Sequence, residues 1–306
     1  MTVSASVAPL PHASDAHGIV TITLEANQGP MTILDETLIR RIEATVRLVP
    51  RTASGVVLAS GSPRVFVAGA DLKSISGMDH HGLDAYLAFG QRVFLMFCEL
   101  HCPTVAAING AALGGGLELA MHCDGLVASP PPSKDGQPGR PYPIGLPEAG
   151  LSICPGWGGT NLLPARMDPQ DAMRRTATGK TMLLEEAVSA GLIDRLAPSP
   201  EALLDTAKAW LVENRNIHAD RRDGLPLRWI GRPNLKAKSL QAYTETKGEF
   251  PGDPGAACLR AVWAGLDVGY HAALDVERAE LNRLRAAPAG AAAIRSFLDK
   301  SAAPKK

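Results

Sequence analysis

Three short segments of the sequence combine small residues with groups that could take part in chemistry. Residues 65–72 are an apolar strand end that runs into small residues, which let a ligand approach the backbone closely. In residues 109–118 three glycines open a helix, and its unpaired N–H groups and positive dipole end suit a developing negative charge. Residues 145–148 end in a glutamate, and the glycine-rich stretch 155–160 follows. Together the segments indicate a site where negative charge develops beside the backbone.

Each segment also has an explanation that involves no ligand. The glycines suit a tight joint between a strand and a helix, and Glu118 is a favourable acid in a first helical turn. Glu148 suits a solvated loop. The occurrence of all three segments in this order along one chain favours a functional site over three separate structural explanations.

Other kinds of site fit the sequence less well. Residues 178–181 end like a phosphate-binding loop, but the glycine required five residues before Gly179 is replaced by Arg174. The third glycine of a dinucleotide-binding motif would fall at Leu119, so a nicotinamide site is not expected. The five cysteines lack the paired short spacing of a zinc site, and we expect no metal.

The three segments resemble the enoyl-CoA hydratase/isomerase (crotonase) family, most closely the hydratase part of multifunctional fatty-acid oxidation proteins. The similarity covers most of residues 17–213, includes 178–194, and continues weakly through 254–300. It implies an α/β fold, a crotonase-like spiral of ββα units followed by C-terminal helices.

The resemblance also implies roles for particular residues. The backbone N–H groups of Ala70 and Gly115 would form the oxyanion hole for a thioester carbonyl, where a fixed donor contributes about 3 kcal/mol to the transition state. Glu118 would activate a water molecule, and Glu148 would deliver a proton to the α carbon. The implied reaction is the hydration of a 2-enoyl-CoA to a 3-hydroxyacyl-CoA.

Substrate contacts follow from the same resemblance. They are expected at Ala68, Gly69, Asp71, Leu72, Gly114, Pro147 and Gly156. Coenzyme A is then part of the substrate, so no cofactor is expected. The family also implies a homo-oligomer, either a trimer or a hexamer, and no dehydrogenase domain follows, so we expect a monofunctional protein.

Two features depart from the family pattern. The proline-rich stretch 130–143 lengthens the connection between the two glutamates, and its prolines predict an exposed loop and not a central strand. Residues 31–34 stand where the family commonly has an asparagine, so we expect contacts with the acyl or CoA portion to differ there.

Two rival functions remain open at this level. A Δ3,Δ2-enoyl-CoA isomerase needs chiefly one carboxylate for its proton shuttle, and the presence of both glutamates favours hydration. A non-catalytic relative that binds acyl-CoA or nucleic acid is the second rival. The net charge of zero, with 31 basic and 31 acidic residues, counts against nucleic acid as a partner.

Hydrophobic periodicity predicts the strands and helices that surround these segments. Apolar runs predict strands at 18–24, 55–60, 104–109 and 125–128, and helical spacing predicts helices after residue 35, at 83–100, 117–122, about 160–192, 203–211 and 256–300. We divide the chain into a flexible N-terminus (1–16), a catalytic core (17–213) and a C-terminal helical region (214–306).

Composition indicates the size of the core and the compartment in which the protein is expected. The chain has 306 residues, 45% of them hydrophobic, which is enough for a sizeable core. An odd number of cysteines without framework spacing fits a reducing compartment. The sequence has no signal-peptide pattern at its start and no apolar run of membrane-spanning length, so we expect a cytoplasmic protein without a membrane partner.

Overall fold

The computed structural model describes residues 7–133, 137 and 139–302. The strands in this part of the chain are β1 (His12–Ser14), β2 (Ile19–Leu24), β3 (Gly55–Ser60), β4 (Val65–Val67), β5 (Thr104–Ile108), β6 (Ala111–Leu113), β7 (Gly125–Ala128), β8 (Pro143–Gly145), β9 (Met182–Leu183) and β10 (Arg195–Leu196). The four strands predicted from apolar runs are therefore present as β2, β3, β5 and β7.

The helices cover the strands and fill the C-terminal part. They are α1 (Glu36–Val46), α2 (Leu72–Gly77), α3 (His80–Glu99), α4 (Gly115–Met121), α5 (Gly159–Leu162), α6 (Pro169–Thr178), α7 (Leu184–Ser189), α8 (Leu203–Glu213), α9 (Pro233–Thr246), α10 (Gly255–Asp267), α11 (Tyr270–Ala286) and α12 (Pro288–Ala302). Short 3₁₀ helices lie at Glu148–Leu151, Leu163–Ala165 and Ile217–Arg221.

Successive strands alternate between two sheets. Among the described residues, one sheet has the order β1-β2-β3-β5-β7-β10 and the other the order β4-β6-β8-β9. From β3 to β8 each strand of the first sheet is followed by a strand of the second, and neighbouring strands of these turns pair in parallel. Each turn of the chain thus adds one strand to each sheet, which is the predicted spiral of ββα units.

The larger sheet is buried on both faces, because its central strands carry apolar side chains in both directions. On one face, Val57, Val105 and Val127 form a small core with Leu203 and Trp210 of α8. The opposite face belongs to the main core, which extends under the second sheet and the remaining helices. Because both faces are covered, β3, β5 and β7 are held in place, and so are the points at which the chain leaves them for the second sheet.

Two predictions about irregular segments are partly wrong. The expected flexible N-terminus covers residues 1–16, of which 1–6 lie outside the described residues; His12–Ser14 form a strand that pairs antiparallel with β2. The stretch 130–143 has no regular element over residues 130–133 and 139–142. Pro143, however, opens β8 between β6 and β9, and the first residue of a strand is a position that tolerates a residue without an N–H group.

The C-terminal helices pack against the core. α11 lies against α3, α5 and α10, while α12 contacts α2 and the 3₁₀ helix at Glu148–Leu151. None of the described helices combines the length and apolarity that a membrane crossing requires. The packing of α11 and α12 brings these two helices to the same region as the predicted site.

Candidate functional site

Three neighbouring parallel strands of the smaller sheet are each followed by one of the predicted site segments, at the same edge of the sheet. β4 leads into residues 68–72, β6 into 114–118 and β8 into 146–148, and β6 pairs with both of the others. The carboxyl ends of parallel strands lie at the same edge of a sheet, which is where α/β proteins place ligands. The topology therefore explains why segments far apart in the sequence meet.

These segments enclose a cavity of about 370 Å³. All but one of the predicted site residues line it: Glu118, Glu148, Ala70, Gly115, Ala68, Gly69, Leu72, Gly114, Pro147 and Gly156. Its remaining walls are mostly apolar and include Trp157 and, from the C-terminal helices, Leu281 and Phe297. The cavity thus combines two carboxylates with an otherwise apolar surface.

The exception is Asp71, which was predicted to contact substrate. Its carboxylate accepts hydrogen bonds from the backbone N–H groups of Lys73 (3.1 Å) and Ser74 (3.3 Å), so it caps α2. The Ser74 hydroxyl donates to its second oxygen at 2.5 Å. Asp71 is therefore a helix cap, and its side chain is not among those that line the cavity.

Two backbone N–H groups at the cavity lack a partner in the described part of the chain. Leu34 donates to the Gly69 carbonyl at 2.9 Å and accepts from the Asp71 N–H at 3.1 Å, which leaves the intervening Ala70 N–H without an acceptor. The Gly115 N–H is the first of α4 and also has no acceptor among these residues. Both residues line the cavity, so both amides are available to an oxygen atom of a ligand.

Gly114 shapes this arrangement. Its φ of +52° is a conformation that L side chains rarely adopt, and its own N–H donates to the Gly145 carbonyl at 2.9 Å. A Cβ atom at this position would collide with the Oε1 atom of Glu148. The absence of a side chain therefore lets the second carboxylate approach the start of α4.

Glu118 lies in the first turn of α4 and is only 1% exposed. Its Oε1 atom accepts hydrogen bonds from the backbone N–H groups of Trp157 and Gly159, both at 2.8 Å. Burial, and then the negative charges of Glu277 and Glu148, raise the pKa of Glu118 well above its usual range, against the lowering effect of the two N–H donors. Glu118 is thus held in place and has a high affinity for a proton.

Glu148 opens the 3₁₀ helix that follows β8. Its Oε2 atom is buried and has no hydrogen-bond partner among the described residues. Burial is the main cause that raises the pKa of Glu148 to about 8, and the charge of Glu277 acts in the same direction. At neutral pH the side chain is therefore mostly protonated and can act as an acid.

The two carboxyl groups suit acid–base chemistry on a ligand between them. Two buried acids that repel each other favour a state in which one is ionised and the other protonated. Beside them, the amides of Ala70 and Gly115 can stabilise an oxygen atom that becomes negatively charged. No group of three or more metal-ligating side chains is placed to hold an ion in the part of the chain that the structure describes.

One residue close to this site was missed in the sequence. Glu277 of α11 is completely buried, and it accepts hydrogen bonds from the N–H groups of Gly158 (2.5 Å) and Thr160 (2.9 Å). A signal was available, because Leu274, Glu277 and Leu281 share one buried face of α11 at helical spacing. A charged residue on an otherwise apolar face calls for an explanation.

Comparison with known sequences identifies related proteins. A family model described as enoyl-CoA hydratase/isomerase matches residues 15–219. The fatty acid oxidation complex subunit alpha of Idiomarina loihiensis is 32% identical over 284 residues, which cover 89% of this chain and 38% of that protein. The same subunit of Shewanella amazonensis is 31% identical over 299 residues, 94% of this chain and 40% of that protein. The chain thus spans about two fifths of the length of these relatives.

Solved structures show the same fold. Human mitochondrial delta3-delta2-enoyl-CoA isomerase superimposes with a TM-score of 0.67 at 19% identity, over 95% of this chain and 97% of that chain. An enoyl-CoA hydratase from Bacillus anthracis superimposes with a TM-score of 0.60 at 22% identity, over 95% of this chain and 96% of that one. The predicted spiral of ββα units with C-terminal helices is therefore confirmed.

Proposed function

The chain belongs to the enoyl-CoA hydratase/isomerase family, and from this premise we propose that it is an enoyl-CoA hydratase. It adds water to a 2-enoyl thioester of coenzyme A and gives the 3-hydroxyacyl thioester. The family membership confirms the resemblance inferred from the three sequence segments. The choice of hydration over isomerisation rests on the arrangement of side chains at the cavity.

The observation that carries this proposal is the pairing of two buried carboxyl groups with two backbone amides that have no acceptor among the described residues. Glu118 and Glu148 line the same cavity as Ala70 and Gly115. Hydration needs a base for the water and an acid for the α carbon, and a cavity with two carboxyl groups can supply both. A proton shuttle between two carbons of one substrate requires chiefly one of them.

The reaction follows from these positions. The thioester carbonyl accepts hydrogen bonds from the N–H groups of Ala70 and Gly115, which stabilise the enolate-like oxygen as charge builds there. Ionised Glu118 takes a proton from water as the water oxygen bonds to the β carbon. Protonated Glu148 gives its proton to the α carbon, and the carbonyl re-forms. One water molecule is consumed. Glu118 now carries a proton and Glu148 is ionised, until a proton returns to Glu148.

These steps require a protonated Glu148 and an ionised Glu118, while burial raises the pKa of both groups. With the pKa of Glu148 raised to about 8, the acid keeps its proton at neutral pH. The two backbone donors to Glu118 stabilise its carboxylate, so Glu118 is the group of the pair better suited to serve as base. Electrostatic repulsion between the acids favours a state in which only one of the two is ionised.

The decisive experiment compares Glu118→Gln and Glu148→Gln in two assays. Hydration of a short 2-enoyl-CoA and isomerisation of a 3-enoyl-CoA are both followed by absorbance. Glu148→Gln should abolish both reactions, while Glu118→Gln should abolish hydration and retain measurable isomerisation. Each disabled proton transfer should lower kcat by about 10²- to 10⁴-fold.

The exposed Glu185 provides the matched control. Glu185→Gln makes the same chemical change away from the cavity and should hydrate at the wild-type rate. If either cavity variant hydrates within about tenfold of the wild type, the paired-acid mechanism is wrong. A wild-type chain that isomerises but does not hydrate would instead assign the protein to the isomerases.

The setting of the enzyme is part of the proposal. We propose a cytoplasmic homo-oligomer, a trimer or a hexamer, that acts in fatty acid oxidation on acyl-CoA thioesters without nucleic acid or membrane partners. Membership of the family supports the thioester substrate and the pathway. Light scattering coupled to size-exclusion chromatography tests the oligomeric state.

A further inference from the structure

Four consecutive backbone amides connect two buried glutamates. The N–H groups of Trp157 and Gly159 donate to Glu118, both at 2.8 Å. Those of Gly158 and Thr160 donate to Glu277 at 2.5 and 2.9 Å. The two carboxylates therefore hold alternate amides of residues 157–160, and a change at one must alter the geometry offered to the other.

The conformation of Gly158 makes this alternation possible. Its φ of +100° lies in the left-handed region that favours glycine, and the Tyr270 hydroxyl occupies the space that a side chain would need. The Thr160 hydroxyl adds a third donor to Glu277 at 2.5 Å and accepts from the Asn161 side chain at 3.0 Å. Glu277 thus binds the amides of Gly158 and Thr160, which lie on either side of Gly159, one of the two residues that donate to Glu118.

A role limited to packing does not explain a carboxylate at this position. Glu277 is 0% exposed, and the groups that stabilise its charge in the described chain are the N–H and O–H donors of Gly158 and Thr160. Burying a carboxylate without a cation is costly, and an apolar residue of similar volume is often as stable or more so. Glu277 does not line the cavity, so it does not touch substrate.

We propose that Glu277 is a positioning residue, which holds residues 157–160 in the conformation that orients Glu118 and places a negative charge behind the reaction cavity. The inference deepens the proposed hydratase function and rests on it for its kinetic consequences. Its geometric and electrostatic consequences can be measured without turnover.

The surroundings of Glu277 determine what its charge does. The titratable groups that face it from other elements are Glu118 of α4, Glu148 of the 3₁₀ helix, Cys154 in the loop that follows and Cys258 of α10, with Tyr270 on α11 itself. Burial raises the pKa of each, and the charge of Glu277 raises it further. Removal of that charge should therefore shift the titration of Glu118 and Glu148 to lower pH.

The test uses the full chain with ¹³C-labelled glutamate and follows the carboxyl carbons by NMR across a pH titration. The Glu118 signal is assigned from the spectrum of Glu118→Gln. In Glu277→Gln the titration of Glu118 should move to lower pH, and both limbs of the pH profile of kcat should move in the same direction. Because misplacement by about 1 Å can cost about 100-fold, kcat should fall by about 10- to 100-fold, with KM changed less.

Glu280→Gln is the matched control. Glu280 lies one turn further along α11, where it pairs with Arg260 and Arg283 away from the cavity. Its substitution should leave the Glu118 titration and the pH profile unchanged. An unshifted titration of Glu118 in Glu277→Gln would overturn the inference, whether or not the chain is a hydratase. An inactive wild type would refute the proposed function alone, since the NMR titration still decides the role of Glu277.

A second pair of variants applies if Glu277→Gln does not fold. Thr160→Val removes the hydroxyl donor to Glu277 with little change of shape, whereas Thr160→Ser retains it. Thr160→Val should shift the Glu118 titration to lower pH, and Thr160→Ser should restore the wild-type curve. Coincident curves for the two variants and the wild type would contradict a positioning role.

Discussion

Replacing Glu148 with glutamine should stabilise the folded protein at neutral pH although it removes a proposed catalytic acid. Burial raises the pKa of this carboxyl group from 4.5 to about 8 in the folded state. The contribution of the protonated side chain is fully present below pH 4.5 and is lost as the pH rises towards 8. The free energy of unfolding of the wild type therefore falls between pH 4.5 and 8. The variant lacks the carboxyl group that causes this fall.

The size of the effect follows from the two pKa values. Between them, the folded state holds a proton that the unfolded chain releases, so the free energy of unfolding falls by about 1.4 kcal/mol per pH unit. At pH 7 the accumulated loss is about 3 kcal/mol on this basis. The variant also buries an amide where Oε2 has no hydrogen-bond partner in the described part of the chain, which adds a cost that does not depend on pH.

Urea unfolding of wild type and Glu148→Gln at several pH values between 5 and 8 measures this difference. The gap in unfolding free energy should widen in favour of the variant as the pH rises, with equal m-values. Glu185→Gln, an exposed substitution, should follow the wild-type curve. Parallel curves for wild type and Glu148→Gln would refute the reasoning, because they would show that the carboxyl group titrates alike in both states.

Three further substitutions test other parts of the structure. Gly114→Ala should lower the unfolding free energy by about 1–3 kcal/mol, since φ is +52°, and reduce kcat because the new Cβ displaces Glu148; urea unfolding and the hydration assay measure both. Arg221→Met leaves the buried Asp124 unpaired and should cost about 3–5 kcal/mol in urea unfolding. Phe297 lines the cavity and is 44% exposed, so Phe297→Ala should raise KM with little loss of kcat or stability.

The sequence could predict the site because its main signals are local. Glycines at 114–116 open the helix that carries Glu118, and Pro147 directly precedes Glu148. Short apolar runs predicted the central strands for the same reason, since a strand that is buried on both faces has apolar residues at consecutive positions. Strands as short as β9 and β10, two residues each, have no such signal and depend on partners elsewhere in the chain.

Long-range contacts explain what the sequence did not show. The family resemblance predicts a substrate contact at Asp71, yet both of its carboxylate oxygens accept hydrogen bonds at the start of α2. Glu277 acts on amides 117 and 119 positions away, and no local pattern indicates which backbone groups a buried glutamate will meet. The face of α11 showed only that this glutamate is buried.

The same separation has a consequence for the protein as it is made. The segments that supply Ala70, Gly115 and both cavity glutamates leave the ribosome long before α11 does. Until α11 has emerged and docked, the amides of Gly158 and Thr160 have no carboxylate to bind, and the turn that supports Glu118 is incomplete. The acid pair is therefore translated before the helix whose glutamate completes the turn that supports Glu118.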